Sequence, residues 1–118
     1  MTLQLERDSK LLRIFIGEAD KLGHQPLYEA LVHAAKKQGI AGVTVVRGIL
    51  SYGASSRIHT AKLLDLSFDL PIVVEIVDQN EMIEQFLDVA NRMIEEASCG
   101  ALITIEKVEV IHYRPKKH

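Results

Sequence analysis

A chain of 118 residues, 47% of them hydrophobic, has the length of one domain and enough apolar material to bury roughly two-thirds of its unfolded surface. A formal net charge of −2 supplies no concentrated basic face, which excludes non-specific nucleic-acid binding. Cys99 is the sole cysteine, so no intrachain disulfide forms and a secreted disulfide scaffold is excluded.

Residues 1–8 are too charged for the apolar core of a signal peptide. No apolar run approaches the length of a membrane span. A soluble, cytoplasmic protein without direct membrane insertion is expected. The first strand is expected over residues 11–16, apolar on both parities and broken only by Arg13. Gly17 ends it, and a polar turn runs from Glu18 to His24. Pro26 stands where a helix can begin without losing a needed donor. Leu27, Ala30, Leu31, Ala34 and Ala35 repeat at helical spacing. Lys36 and Lys37 suit the C-terminal dipole of this helix, and Gly39 supplies a left-handed cap.

A second strand is expected over residues 43–50, followed by the polar segment Ser51 to Thr60. Residues 61–66 read as a short extended return and 67–69 as a turn. Residues 72–77 form a third strand, rich in β-branched side chains. Asp78 is placed to cap a second helix, with Glu81 three residues on as a variant capping box. The stripe Met82, Ile83, Phe86, Leu87, Ala90, Met93, Ile94 and Ala97 marks that helix, and Gly100 ends it. Residues 102–105 give a fourth strand, and 108–113 a fifth or an extension of the sheet edge. The order is that of an α+β, ferredoxin-like β-α-β-β-α-β sandwich.

Two helices in such a plan cover one face of the sheet. The other face should then alternate with polar residues, yet Leu11, Phe15, Val73 and Val77 lie opposite the helix-facing positions. An open apolar face of this extent predicts burial against another subunit, the alternative being a twisted sheet covered by the termini.

Signatures of catalysis are missing: no Gly-x-Ser-x-Gly elbow, no His-Glu-x-x-His helix and no Walker-type loop occurs. The five histidines lack ligand spacing, so no metal site is indicated, and Cys99 at the end of a helix suits packing rather than nucleophilic chemistry. Glu75 and Arg47 are different, because each interrupts an apolar strand where a charge is costly unless satisfied. They either pair with one another or line a polar cleft at a subunit boundary. Ser51, Tyr52, Gly53, Ser55, Ser56, Arg57, His59 and Thr60 either cradle an anion or contact a partner, or else form only a solvated linker.

Gly39-Ile-Ala-Gly-Val-Thr44, Arg47-Gly48, Ser56-Arg-Ile-His-Thr-Ala-Lys62, Leu70-Pro71, Val74-Glu-Ile-Val77 and Val108-Glu-Val-Ile-His-Tyr-Arg114 together resemble the nitrogen-regulatory PII proteins. They resemble more closely the PII-like domain-of-unknown-function 190 family. The likeness covers about residues 10–114, the core of one domain spanning 1–118 with flexible tails. It implies a homotrimer with nucleotide between subunits and a loop offered to a partner protein. Matched by position, Gly42 and Thr44 fall at the adenine pocket, and Glu75, Ile76 and Val77 on the strand against which the base rests. Arg114 and His112 fall where two arginines approach the phosphates, His112 being the weaker, pH-dependent cation. Arg47 is a further phosphate candidate.

The lysine-bearing glycine loop that cradles polyphosphate in PII proteins is reduced here to Ser98-Cys-Gly-Ala101. The resemblance therefore implies a regulatory, non-enzymatic protein that requires no cofactor and takes a small adenine nucleotide such as AMP. It would act through residues 51–60, with Tyr52, Ser55, Ser56, Arg57 and His59 as contacts. The alternatives are a nucleotide-free module that regulates a membrane transporter, and a divalent-metal-binding relative of the same fold.

Overall fold

The computed structural model describes residues 7–52, 58–60 and 70–115. In chain order its elements are β1 (Asp8–Gly17), β2 (Lys21–Leu22), β3 (Gln25–Pro26), α1 (Leu27–Lys37), β4 (Val43–Arg47) and β5 (Leu50–Tyr52). They continue with β6 (Ile58–Thr60), β7 (Pro71–Asp78), α2 (Asn80–Ala97) and β8 (Leu102–Glu109). The centre is a four-stranded antiparallel sheet in the order β4-β7-β1-β8. With helices α1 and α2 it makes the ferredoxin-like α+β plan. Two short hairpins, β2 with β3 and β5 with β6, stand outside the main sheet.

The core follows from period-two strands meeting period-3.6 helices. Leu12, Ile14 and Ile16 of β1 and Ile72, Val74 and Ile76 of β7 are buried on one face. Against them pack Leu27, Leu31 and Ala35 of α1 and Ile83, Phe86 and Ala90 of α2. Full burial of each large side chain contributes about 1.5–3 kcal/mol. Helix α1 closes as its sequence suggests: the Gly39 amide donates to the Lys36 carbonyl (3.1 Å) and that of Ile40 to Ala35 (3.1 Å). Gly39 takes a φ of +81°, open to a residue without a β-carbon.

Several expectations require correction. Asp78 does not cap α2; the N-cap is Gln79, without a side-chain cap bond. Instead Asp78 is buried and accepts from the amides of Ala41 (2.8 Å) and Gln79 (2.7 Å). Helix α2 ends before Gly100, since Ser98 itself takes the left-handed cap at φ 54°. Residues 102–109 form one strand, because all of it pairs with β1 from Leu102↔Phe15 to Glu109↔Asp8. The expected strand over 43–50 stops at Arg47, and Leu50–Tyr52 turn away to pair with Ile58–Thr60. The polar segment thus has a hairpin stem. Residues 53–57, with the site candidates Ser55, Ser56 and Arg57, lie outside the described residues. So do the return over 61–66, the turn at 67–69 and the two tails. Among the described residues, no helix is long and apolar enough to cross a membrane.

Candidate functional site

Register decides which side chains meet on the face away from the helices. Thr44 lies opposite Glu75, Glu75 opposite Arg13 and Arg13 opposite Thr104, so one row crosses all four strands. A neighbouring row, Val46, Val73, Phe15 and Leu102, is apolar. Within it Val46 and Leu102 are 44% and 57% exposed.

The buried Asp78 carboxylate ties the turn before β4 to the end of β7 through the Ala41 amide. That tether sets Gly42 and Thr44 beside Glu75 and Val77. On the other side the chain runs on from β8, where the Val110 amide donates to the Arg7 carbonyl (2.8 Å) and carries the pairing with β1 one step further. Between the two lies an open cleft of about 640 Å³, a volume usual for a small-molecule site. Leu11, Val77, Val110 and Ile111 give it an apolar lining, and Thr44, Glu75, Glu109, His112 and Tyr113 bring polar groups.

Each of the two carboxylates lining the cleft is met by an arginine. Glu75 accepts from Arg13 Nε at 2.8 Å, and the same guanidinium reaches Glu106 through Nη1 at 2.5 Å. These acids, the Glu75 hydrogen bond first among them, raise the Arg13 pKa further above its already high ordinary value. Arg13 is thus a fixed charge. Glu109 pairs with Arg7 at the exposed rim, a contact worth little in stability. Among the described lining residues there is one imidazole, His112, and no lysine or arginine.

Of the residues singled out from sequence, Gly42, Thr44, Glu75, Val77 and His112 come together here. Ile76 does not: alternation along β7 turns its side chain into the core, where it is 1% exposed. Arg47 does not either. It lies three residues beyond Thr44, roughly 10 Å along the strand and on the other face, where it ion-pairs with Glu18. The pairing of Arg47 with Glu75 weighed from sequence is therefore replaced by two separate pairs, Arg47 with Glu18 and Glu75 with Arg13. Arg114 is exposed, two residues past His112, and does not line the cleft. Tyr52 and His59 are opposite Ile58 and Ser51 in the β5–β6 hairpin, away from the main sheet.

Arg13, Glu109 and Tyr113 were not foreseen as site residues. Arg13 left a signal, as the one break in the apolar run 11–16; Glu109, at the end of β8, and Tyr113, in the segment after it, join the cleft only through the pairing of β8 with β1. Cys99 is half-buried, and burial, with the nearby Asp20 carboxylate adding to it, pushes its thiol pKa up, the opposite of a reactive cysteine. Among the described residues, no group of three or more His, Cys, Asp or Glu side chains is placed to hold a metal ion.

Residues 9–110 match the family model described as DUF190, uncharacterised ACR. A UPF0166 protein of Aquifex aeolicus is 42% identical over 103 residues, 87% of this chain and 93% of the relative. A UPF0166 protein of Methanocaldococcus jannaschii is 34% identical over 79 residues, 67% of this chain and 72% of the relative. Among solved structures, CPII from Thiomonas intermedia K12, a nitrogen regulatory PII-like protein bound to ADP, AMP and bicarbonate, superposes with a TM-score of 0.67. It is 17% identical, over 87% of this chain and 88% of that one. A Thermus thermophilus protein described as PII-like and signalling gives 0.61 at 20% identity, over 88% and 90% of the two chains. At such identities the likeness is one of fold.

Proposed function

The chain belongs to the DUF190 family, and from that premise we propose that it is a PII-like regulatory protein binding a small, AMP-like adenine nucleotide in the cleft between β4, β7 and residues 109–113. The observation that carries this reading is the convergence of Gly42, Thr44, Glu75, Val77 and His112, from three distant stretches of sequence, on one cleft. The apolar lining suits the faces of a purine. Thr44 and Glu75 suit its polar edge, since a carboxylate accepts from an exocyclic amine. CPII, of the same fold, was solved with ADP and AMP bound.

The cations available to phosphate argue for a short phosphate chain. His112 lines the cleft and Arg114 follows two residues later, while Arg47 is held by Glu18. A missing lysine contact is worth about 1.5–3 kcal/mol, roughly a 10- to 150-fold loss for a polyphosphate. The half-exposed row of Val46 and Leu102 supports a cyclic trimer whose subunits close over the open face and cleft. Action on a partner protein is assigned to the segment 51–60, beyond the sheet.

Gly42 offers the test. A β-carbon added there meets nothing within 4 Å, so Gly42→Val is expected to fold normally while narrowing the cleft. AMP at 100 times its dissociation constant should stabilise the wild type by about 2.7 kcal/mol, and the variant much less. Equal stabilisation of both proteins would move the nucleotide out of this cleft.

A further inference from the structure

Arg13 holds only one oxygen of the cleft's central acid. Its Nε donates to Glu75 Oε2 at 2.8 Å, and its Nη1 is committed to Glu106 at 2.5 Å. Glu75 Oε1 has no hydrogen-bond partner among the described residues, and the side chain is 32% exposed in the wall of the cleft. The fork is therefore splayed between two carboxylates, one donor to each, rather than set bidentate on either.

This matters for what a heterocycle must present. A free carboxylate has two acceptor oxygens and suits two parallel donors. Guanine offers such a pair, the ring N1–H beside the exocyclic amine, whereas adenine offers one exocyclic amine beside a bare acceptor nitrogen. With Oε2 already engaged by Arg13, Oε1 is the oxygen left fully open, and a second donor at Oε2 would have to share it with the guanidinium. We propose that Arg13 is a specificity-determining positioning residue that leaves Oε1 as the open acceptor of Glu75, matched to one amine, so that the paired donors of guanine must compete with Arg13 for Oε2.

The inference rests on the nucleotide reading above and deepens it from adenine binding to the device that weakens the two-donor pairing of guanine. Discrimination is a difference of affinities. Freeing Oε2 should therefore change the ratio of two affinities and not only their size.

The test is titration of the full-length protein with AMP and GMP, for the wild type and two variants. The wild type is expected to prefer AMP. Arg13→Met should shift the ratio toward GMP by roughly tenfold or more, the equivalent of one regained charge-assisted contact. Glu75→Gln, neutral and of the same shape, provides the second readout and guards against a folding failure of the first variant. With Arg13 holding the oxygen of the new side-chain amide, its nitrogen would face the ligand as a donor and favour the 6-oxo bases of GMP and IMP over AMP. An AMP:GMP ratio unmoved by Arg13→Met, or an undiminished AMP preference in Glu75→Gln, overturns the role of Arg13 while leaving a nucleotide site standing. A wild type that prefers GMP has the same consequence. A wild type that binds neither nucleotide overturns the nucleotide reading and this inference together.

Discussion

At Gly48 the amide donates to the Pro71 carbonyl at 2.7 Å, and a β-carbon added there would lie 2.6 Å from Pro71 Cγ. The ring is rigid, so one of the two backbones must move. Gly48→Ala is expected to destabilise by about 1–3 kcal/mol, in the manner of other overpacked sites. The urea midpoint should fall at unchanged m-value; an unaltered midpoint would mean that the strand ends separate freely. The same scale shows what single residues disclose. Glu75 and Arg47 stand out as charges in apolar strands, and Arg13 as the break in another. Their pairing did not follow, because Arg13 and Glu75 are 62 positions apart in sequence and meet only through the β1–β7 register. Composition fixes neither strand order nor register. Asp78 misled for a related reason: its chemistry fits a helix cap, but the Ala41 amide, brought near by the β4–β7 pairing, competes for the same carboxylate.

Among the elements, β7 is paired on both sides, with β1 along its length and with β4 from Arg47↔Ile72 to Val43↔Ile76. The β5–β6 hairpin has three residue pairs and no place in the main sheet. Stability is not uniform across such a structure, and opening follows local pairing and burial. Amide exchange is therefore expected to be slowest in residues 72–77 and fast in 50–52 and 58–60. Equal protection would show that the hairpin docks on the body of the protein. The sandwich itself was legible because its signals are local: helical spacing in α1 and α2, β-branched runs in β7, and Gly39 after Lys36 and Lys37. Boundaries that depend on a neighbour were not legible. Strand β8 is continuous because β1 is long enough to pair with all of it, and β4 stops opposite Ile72, where β7 is only beginning.

For the whole molecule, the open face is the feature that asks for a partner. Its apolar row, Val46, Val73, Phe15 and Leu102, runs across all four strands, beside the cleft and the Arg13 network. A second copy closing over this face would exclude water from the row and complete the cleft wall. A homotrimer is expected by light scattering at micromolar concentration, and Phe15→Asp should dissociate it; a wild-type monomer would contradict the closure. The open face itself was legible from apolar residues on both strand parities. The cleft was legible only in part, since part of its wall comes from Glu109 at the end of β8 and the segment that follows it. The central claim, that the cleft takes a short adenine nucleotide, is tested most directly by titration calorimetry of the wild-type protein with AMP and ATP. Saturable binding approaching one AMP per chain, at least as tight as ATP, is the predicted result. A clear preference for ATP, or no heat with either nucleotide, would contradict it.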